Sequence, residues 1–214
     1  MNLSAKELSG YLNSVYNNAA KIDKLKIIYR PYICPFDVLI NECAGSKTIM
    51  DIGCGSGQFL LLLSKYTNAA KLGGIEISST LVNNARQLLS SQRKTNFQVE
   101  VYDGTHIPDF ICEFDTLVLI DVFHHIPEKE QLNFIAALYS KMKPGSKLIF
   151  KDINAAHPFV LMNKIHDTLL GGGAGKEISI SAAEQMLQQA GFKILSVSKK
   201  TMIWYPHYTI VCAK

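Results

Sequence analysis

The run Asp51-Ile52-Gly53-Cys54-Gly55-Ser56-Gly57 is the densest place in the chain for ligand chemistry. It closes a short apolar stretch, Thr48 to Ile52, and an apolar helical pattern from Phe59 to Lys65 follows it. That is the strand–loop–helix context a nucleotide loop needs. Glycines there let the backbone turn sharply and come close to a ligand. A dinucleotide loop would read GxGxxG. Counted from Gly53, that frame puts Gln58 where the third glycine belongs, and Gly57 falls one place early. Asp51 sits immediately before the loop. A carboxylate is unfavourable beside a pyrophosphate and favourable beside a cation. S-adenosylmethionine carries a sulfonium and an ammonium and no phosphate, so these residue types favour it over a dinucleotide.

Two further acids stand at the ends of apolar runs. Glu76 closes Lys71–Glu76, where a carboxylate accepts both ribose hydroxyls, as it also does in dinucleotide folds. Ile77 would then cover one face of the adenine. Asp103-Gly104 follows Phe97–Tyr102 and places a second carboxylate near the adenine amino group. Taken singly, such glycines are often turns and such acids often helix caps. Three acidic strand ends in order, on three consecutive strands, argue for a site.

The elements that would position these residues alternate. Strands are expected at Thr48–Ile52, Lys71–Glu76, Phe97–Tyr102, Phe114–Ile120 and Lys147–Ile153, with helices at 59–65, 80–90 and 128–141 between them. Such alternation predicts a parallel sheet covered on both faces. Ahead of it, residues 1–46 read as a helical cap. Ser4 and Glu7 cap its first helix, Pro31 and Pro35 break the chain, and Phe36–Cys43 forms a last short helix. Behind the fifth strand, Ala156–Leu170 reads as an extra helix and Gly171 to Gly175 as a hinge. A helix capped by Ser181 and Glu184 follows, then two closing strands, Phe192–Ser198 and Tyr208–Ala213, paired antiparallel. The expectation is an α/β fold of seven strands, the last antiparallel to the rest, with domain bounds 1–46 and 47–214.

Bulk properties agree with an ordinary globular domain. The chain has 214 residues, 48% hydrophobic and 19% charged, and a net charge of +4. There is no dense basic run and so no strong nucleic-acid signal. Five cysteines without a CxxC pair argue against a zinc knuckle or a disulfide framework, and no metal is expected. The apolar run Phe59–Leu63 is too short for a transmembrane segment. The N-terminus carries no signal-peptide core, so the expected place is cytoplasmic.

With these pieces in order, the segments IMDIGCGSG, GGIEIS, VYDG, FDTLVLIDVFHHIP and KPGSKLIF resemble the successive motifs of class I S-adenosylmethionine-dependent methyltransferases, over about residues 47–153. The resemblance implies a Rossmann-like sheet in the order 3-2-1-4-5-7-6. It implies Asp51, Gly53, Cys54, Gly55 and Gly57 around the methionine portion of the cofactor, and Glu76 on the ribose. It implies Ile77, Asp103 and Gly104 near the adenine, and Asp121, Val122, Phe123 and His124 along the reactive side. YRPYICPF, KIHD and WYPHY are similar to a bacterial subgroup of small methyltransferases, which supplies no substrate.

Methyl transfer is an in-line displacement, so the protein's work is positioning, with a base needed only where the acceptor must lose a proton. The family has no universal catalytic residue. His124 is the candidate base, while His125 caps or packs. Lys151 and Asp152 end the fifth strand, and Tyr29 and Arg30 lie on the N-terminal side. His157, His166 and His207 read as structural. No [DN]PP[YFW] run and no Pro-Cys pair follow strand 4, which disfavours amino-methylation of nucleic acids and attack on cytosine C5. The expected acceptor is a small molecule or lipid-like precursor, methylated on O, N or C to leave S-adenosylhomocysteine. Residues 154–180 would form either a lid lined by Phe159, Met162 and Ile165 or an ordinary packing helix with a loose loop. The competing readings are a cofactor-binding regulator without catalysis, an RNA methyltransferase with a basic face, and a nicotinamide oxidoreductase, whose GxGxxG loop the sequence lacks. The sequence leaves the oligomeric state open.

Overall fold

The computed structural model describes residues 2–16, 21–91, 95–156 and 176–214, with the backbone alone for 21–23. Three helices come first: α1 (Ala5–Val15), α2 (Lys21–Ile33) and α3 (Phe36–Cys43). The sheet then forms from β1 (Thr48–Ile52), β2 (Lys71–Glu76), β3 (Asn96–Val101), β4 (Thr116–Ile120), β5 (Lys147–Ile153), β6 (Lys193–Met202) and β7 (Tyr205–Ala213). Between them run α4 (Gln58–Tyr66), α5 (Ser79–Ser90), α6 (Glu128–Lys141) and α7 (Ile180–Gln189). The strand order is β3-β2-β1-β4-β5-β7-β6, with β7 antiparallel to both of its neighbours. This is the Rossmann-like methyltransferase sheet that the motifs imply.

Each central strand sends alternate residues into two apolar layers. On β4, Val118 and Ile120 pack with the helices α1, α3, α4 and α5, while Leu117 and Leu119 pack with α6 and α7. Burial on both faces is why β4 reads as an unbroken apolar run. Leu8 and Leu12 of α1 and Leu39 and Ile40 of α3 belong to the same core as Ile49 of β1. Four cysteines, 34, 43, 54 and 212, are buried as free thiols, small apolar groups in that packing, and Cys112 is exposed.

Several local expectations need correction. Pro31 does not break the chain; it lies inside the last turns of α2. A proline there removes the N–H that would bond the Ile27 carbonyl four residues back. Gln58 Nε2 donates to that carbonyl instead, at 2.8 Å. The residue standing in place of a third loop glycine thus fastens α2 to the start of α4. The α7 cap is Ser179, whose hydroxyl accepts from Ala182 N–H, and not Ser181. Phe114 ends a short 3-10 turn, so β4 starts two residues later than its apolar run suggests. The closing hairpin is longer than expected at both strands. The predicted helix 156–170 and the glycine hinge 171–175 lie, apart from Ala156, outside the described residues.

Candidate active site

All five parallel strands end along one edge, and β7 begins there. At β1 the chain leaves Asp51 and enters the loop. Gly53 (φ +77°) and Cys54 both donate their N–H to the Ile75 carbonyl, at 2.8 and 3.0 Å, which pins the loop to β2. A Cβ on Gly53 would stand 2.4 Å from Val122 Cγ2, so no side chain fits there. A Cβ on Gly55 (φ +53°) would meet nothing within 4 Å. The loop is therefore closed against the protein at Gly53 and open at Gly55. Gly57 backs onto Ala85 of α5, and the Cys54 side chain turns into the core against Gly74.

Glu76 stands beside the open position. One carboxylate oxygen accepts from Gly55 N–H at 3.1 Å and the other from Ser78 N–H at 3.0 Å. Each oxygen keeps a second lone pair for a ligand hydroxyl. Next to it Ile77 is 67% exposed, an apolar side chain with an uncovered face, and Gly104 lies beside it. Asp103 is exposed and caps its own loop, accepting from Thr105 and His106 N–H at 2.7 and 2.8 Å and pairing with the His106 ring. These bonds hold its carboxyl down at about 2.

Beyond Asp51 the edge is polar and buried. Burial, with Glu76 adding to it and Arg30 opposing it, pushes the Asp51 carboxyl up to about 7. Arg30 from α2 reaches Asp121 Oδ2 at 3.4 Å, and the fully buried Lys151 ammonium bonds the other oxygen, Oδ1. Despite burial, those two cations hold Asp121 well below the usual carboxylate range. Asp121 also has φ +55°, an uncommon left-handed conformation for a residue with a side chain. His207, opposite Ile153 in the β5–β7 register, bonds the Ile33 carbonyl through Nε2 at 2.6 Å. Burial and the Lys151 charge lower its imidazole to about 3, so it is neutral.

On the other sheet face, His124 Nδ1 meets Asp152 Oδ1 at 2.6 Å. Tyr208, the cross-strand partner of Asp152, is fully buried, and its hydroxyl has no hydrogen-bond partner among the described residues. Phe123 between these groups is a core residue. The structure thus brings together Asp51, Glu76, Asp121 and Lys151 on one edge, and joins His124 to Asp152. His157, His166, Phe159, Met162 and Ile165 lie outside the described residues. Sequence reasoning missed Tyr208 and the part played by Gln58. The available signal for Tyr208 was its neighbour: a polar-tipped aromatic opposite an acid in an otherwise apolar strand pair.

The methyltransferase domain family matches residues 29–197, more than half of the chain. The chain belongs to this family of class I S-adenosylmethionine-dependent methyltransferases. Among curated relatives, a methyltransferase of Shewanella sediminis, "Protein-L-isoaspartate O-methyltransferase 2", is 28% identical over 144 residues, 67% of this chain and 54% of that protein. The "Ubiquinone biosynthesis O-methyltransferase" of Coxiella burnetii is 27% identical over 108 residues, 50% of this chain and 44% of that one. The chain therefore spans about half the length of the curated relatives it matches. The crystal structure of magnesium protoporphyrin IX methyltransferase from Synechocystis, with bound S-adenosylhomocysteine, superposes with a TM-score of 0.70 at 18% identity, covering 96% of this chain and 94% of that one. At that identity the likeness is one of fold.

S-adenosylmethionine is the cofactor of this methyltransferase fold, and the residues present fit it. Gly55 leaves the space a ligand would fill, and Glu76 has two acceptor positions free for a diol. Ile77 offers an apolar face for a base, and Asp51 is a buried carboxyl that a cation would relieve. No cluster of metal-ligating side chains occurs among the described residues, and no helix there is long and apolar enough to cross a membrane.

Proposed function

We propose that this methyltransferase moves a methyl group from S-adenosylmethionine to a small-molecule or lipid-like acceptor at the β4–β5–β7 end of the edge. The observation that carries the reading is the order of groups along that edge. Going outward, it offers an apolar face at Ile77, a diol acceptor at Glu76, an open glycine loop, and the buried carboxyl of Asp51. When bound, the cofactor supplies an electrophilic methyl carbon on a cationic sulfur. The protein's share is orientation. Glu76 would hold the ribose, Ile77, Asp103 and Gly104 the adenine, and Asp51 with the Gly53–Gly57 loop the methionine ammonium. The cationic side of Arg30 would face the methionine carboxylate, and the Asp121–Val122–Phe123 turn would border the reactive side.

The relative named for ubiquinone biosynthesis supports a small, lipid-like acceptor. The N-terminal helices, residues 1–46, would serve as a cap on the unit formed by 47–214. Five free thiols accord with a reducing compartment such as the cytoplasm. The test is calorimetric titration with S-adenosylhomocysteine and, separately, NAD. Binding of the first and not the second is expected; tighter NAD binding would overturn the cofactor assignment.

A further inference from the structure

One buried pair has no part in holding the cofactor. His124 stands in the turn after β4, and Asp152 near the end of β5. Their side chains are 4% and 0% exposed. Asp152 receives the His124 ring at 2.6 Å and the His124 backbone N–H at 3.2 Å. Its Oδ1 is further fixed by the Ile153 N–H at 2.8 Å. In the neutral ring, a carboxylate accepting at Nδ1 keeps the proton on that nitrogen and leaves the lone pair on Nε2. A base whose other side is oriented by a carboxylate is the general pattern of an activated proton acceptor. On the same face the buried Tyr208 hydroxyl lacks a partner among the described residues, and such a group calls for a ligand or a water to complete it. The turn that carries His124 also carries Val122, which lies over Gly53. The pair is thus built two residues from the contact with the cofactor loop.

We propose that His124, positioned by Asp152, takes the proton from a hydroxyl acceptor, an alcohol or phenol, whose oxygen is held by the Tyr208 hydroxyl. The inference rests on the methyltransferase reading above and narrows its acceptor class. As the acceptor oxygen forms its bond to the methyl carbon, the carbon–sulfur bond breaks with its electron pair left on sulfur. The hydroxyl proton goes to His124 Nε2 and from there to solvent. A carboxylate acceptor has no proton to lose, and an amine attacks through a lone pair it already has, so neither needs this pair. Asp152 is a positioning residue.

The charged groups acting on His124 are Asp152 of β5, Asp121 at the end of β4 and Glu177 ahead of α7, and the His125 ring lies 4.1 Å away. Burial disfavours its charged form, but Asp152, Asp121 and Glu177 outweigh burial and raise the imidazole to about 9. The basic form therefore gains population as pH rises, and turnover should climb with it.

The experiment has two arms. In the first, the His124 ring is titrated by NMR in the wild type and in Asp152→Asn. In the second, methyl-labelled S-adenosylmethionine is incubated with a small-molecule extract of the source cells across the neutral to alkaline range. Wild type, Asp152→Asn and His124→Gln are compared there, with S-adenosylhomocysteine affinity measured to show that each variant is folded. The His124 midpoint should fall by about one pH unit or more in Asp152→Asn, and the rising limb of turnover should move with it. His124→Gln should lose about 100-fold in turnover at unchanged cofactor affinity. Label should enter alkali-stable ethers. An unmoved midpoint, full turnover in His124→Gln, or label in alkali-labile esters overturns the proposal. No labelled product from a wild type that binds the cofactor defeats the methyl-transfer reading itself, and the base with it.

Discussion

The glycine loop after β1 and the polar cluster at the ends of β4, β5 and β7 lie along the same edge of one sheet but are made of different material. The loop end is backbone. Its shape comes from glycines in left-handed conformations and from N–H groups bonded to Ile75 and Glu76. It faces open space at Gly55. The cluster end is side chain. Asp121 is held by Lys151 and Arg30, His124 by Asp152, and His207 by the Ile33 carbonyl. A backbone site holds a ligand whose form never varies, while a buried charged site has the electrostatics for chemistry and for telling acceptors apart.

If the cluster is a mutually dependent set of charges, breaking it should cost most. Lys151→Ala leaves Asp121 with Arg30 alone, and because Asp121 is partly exposed the expected loss is about 3 kcal/mol, the low end for a broken buried pair. Chemical denaturation would measure it; a loss below about 1 kcal/mol, typical of surface pairs, would mean that the cluster is solvated and the contrast false. The loop should respond to shape instead. Gly53→Ala puts a methyl against Val122 in a left-handed backbone, with a cost of about 2 kcal/mol from crowding and conformation together. Cofactor affinity should fall as well, and a variant of wild-type stability and affinity would show that the loop is not tightly shaped.

The smallest effect belongs to Asp51, where the two regions meet. Its folded carboxyl sits at about 7, against an ordinary 3.8. The raised value means that the cofactor-free fold keeps a proton the unfolded chain has lost. That contribution to stability is complete below about pH 4 and disappears as pH rises through about 7. An ammonium ligand prefers the ionised carboxylate, so cofactor affinity should move the opposite way. It should weaken by up to about tenfold per pH unit below 7 and level off above it. Titration with S-adenosylhomocysteine across that range in the wild type and in Asp51→Asn sharpens the contrast. A profile as steep in the variant as in the wild type would assign the dependence to another group.

What the sequence reveals follows the same division. The loop and the strand ends are legible because each is written in a few consecutive residues: Asp51 to Gly57, Glu76 with Ile77, the apolar run of β4; the sheet order is legible only through the family resemblance that those motifs carry. The cluster is assembled from positions 30, 121, 151 and 207, so its pairing depends on strand register and on how α2 packs. Lys151 and Asp152 stand out as charges in an apolar strand, but only alternation across the sheet shows that they serve opposite faces, Lys151 toward Asp121 and Asp152 toward His124. Gln58 reads as a missing glycine, although its partner is the carbonyl that Pro31 leaves free, a relation spanning two helices. Hydrogen-bond partners across such distances are set by packing and leave no local pattern.

The central claim is that this edge holds S-adenosylmethionine through carboxylates presented at strand ends, and Glu76 is its most exposed point. Calorimetric titration of Glu76→Ala with S-adenosylhomocysteine, beside the wild type, tests it directly. A hydrogen-bonded charged group contributes about 1.5–3 kcal/mol, so affinity should fall by about 10- to 100-fold in a variant that remains folded. Wild-type affinity in a folded Glu76→Ala variant would contradict the account.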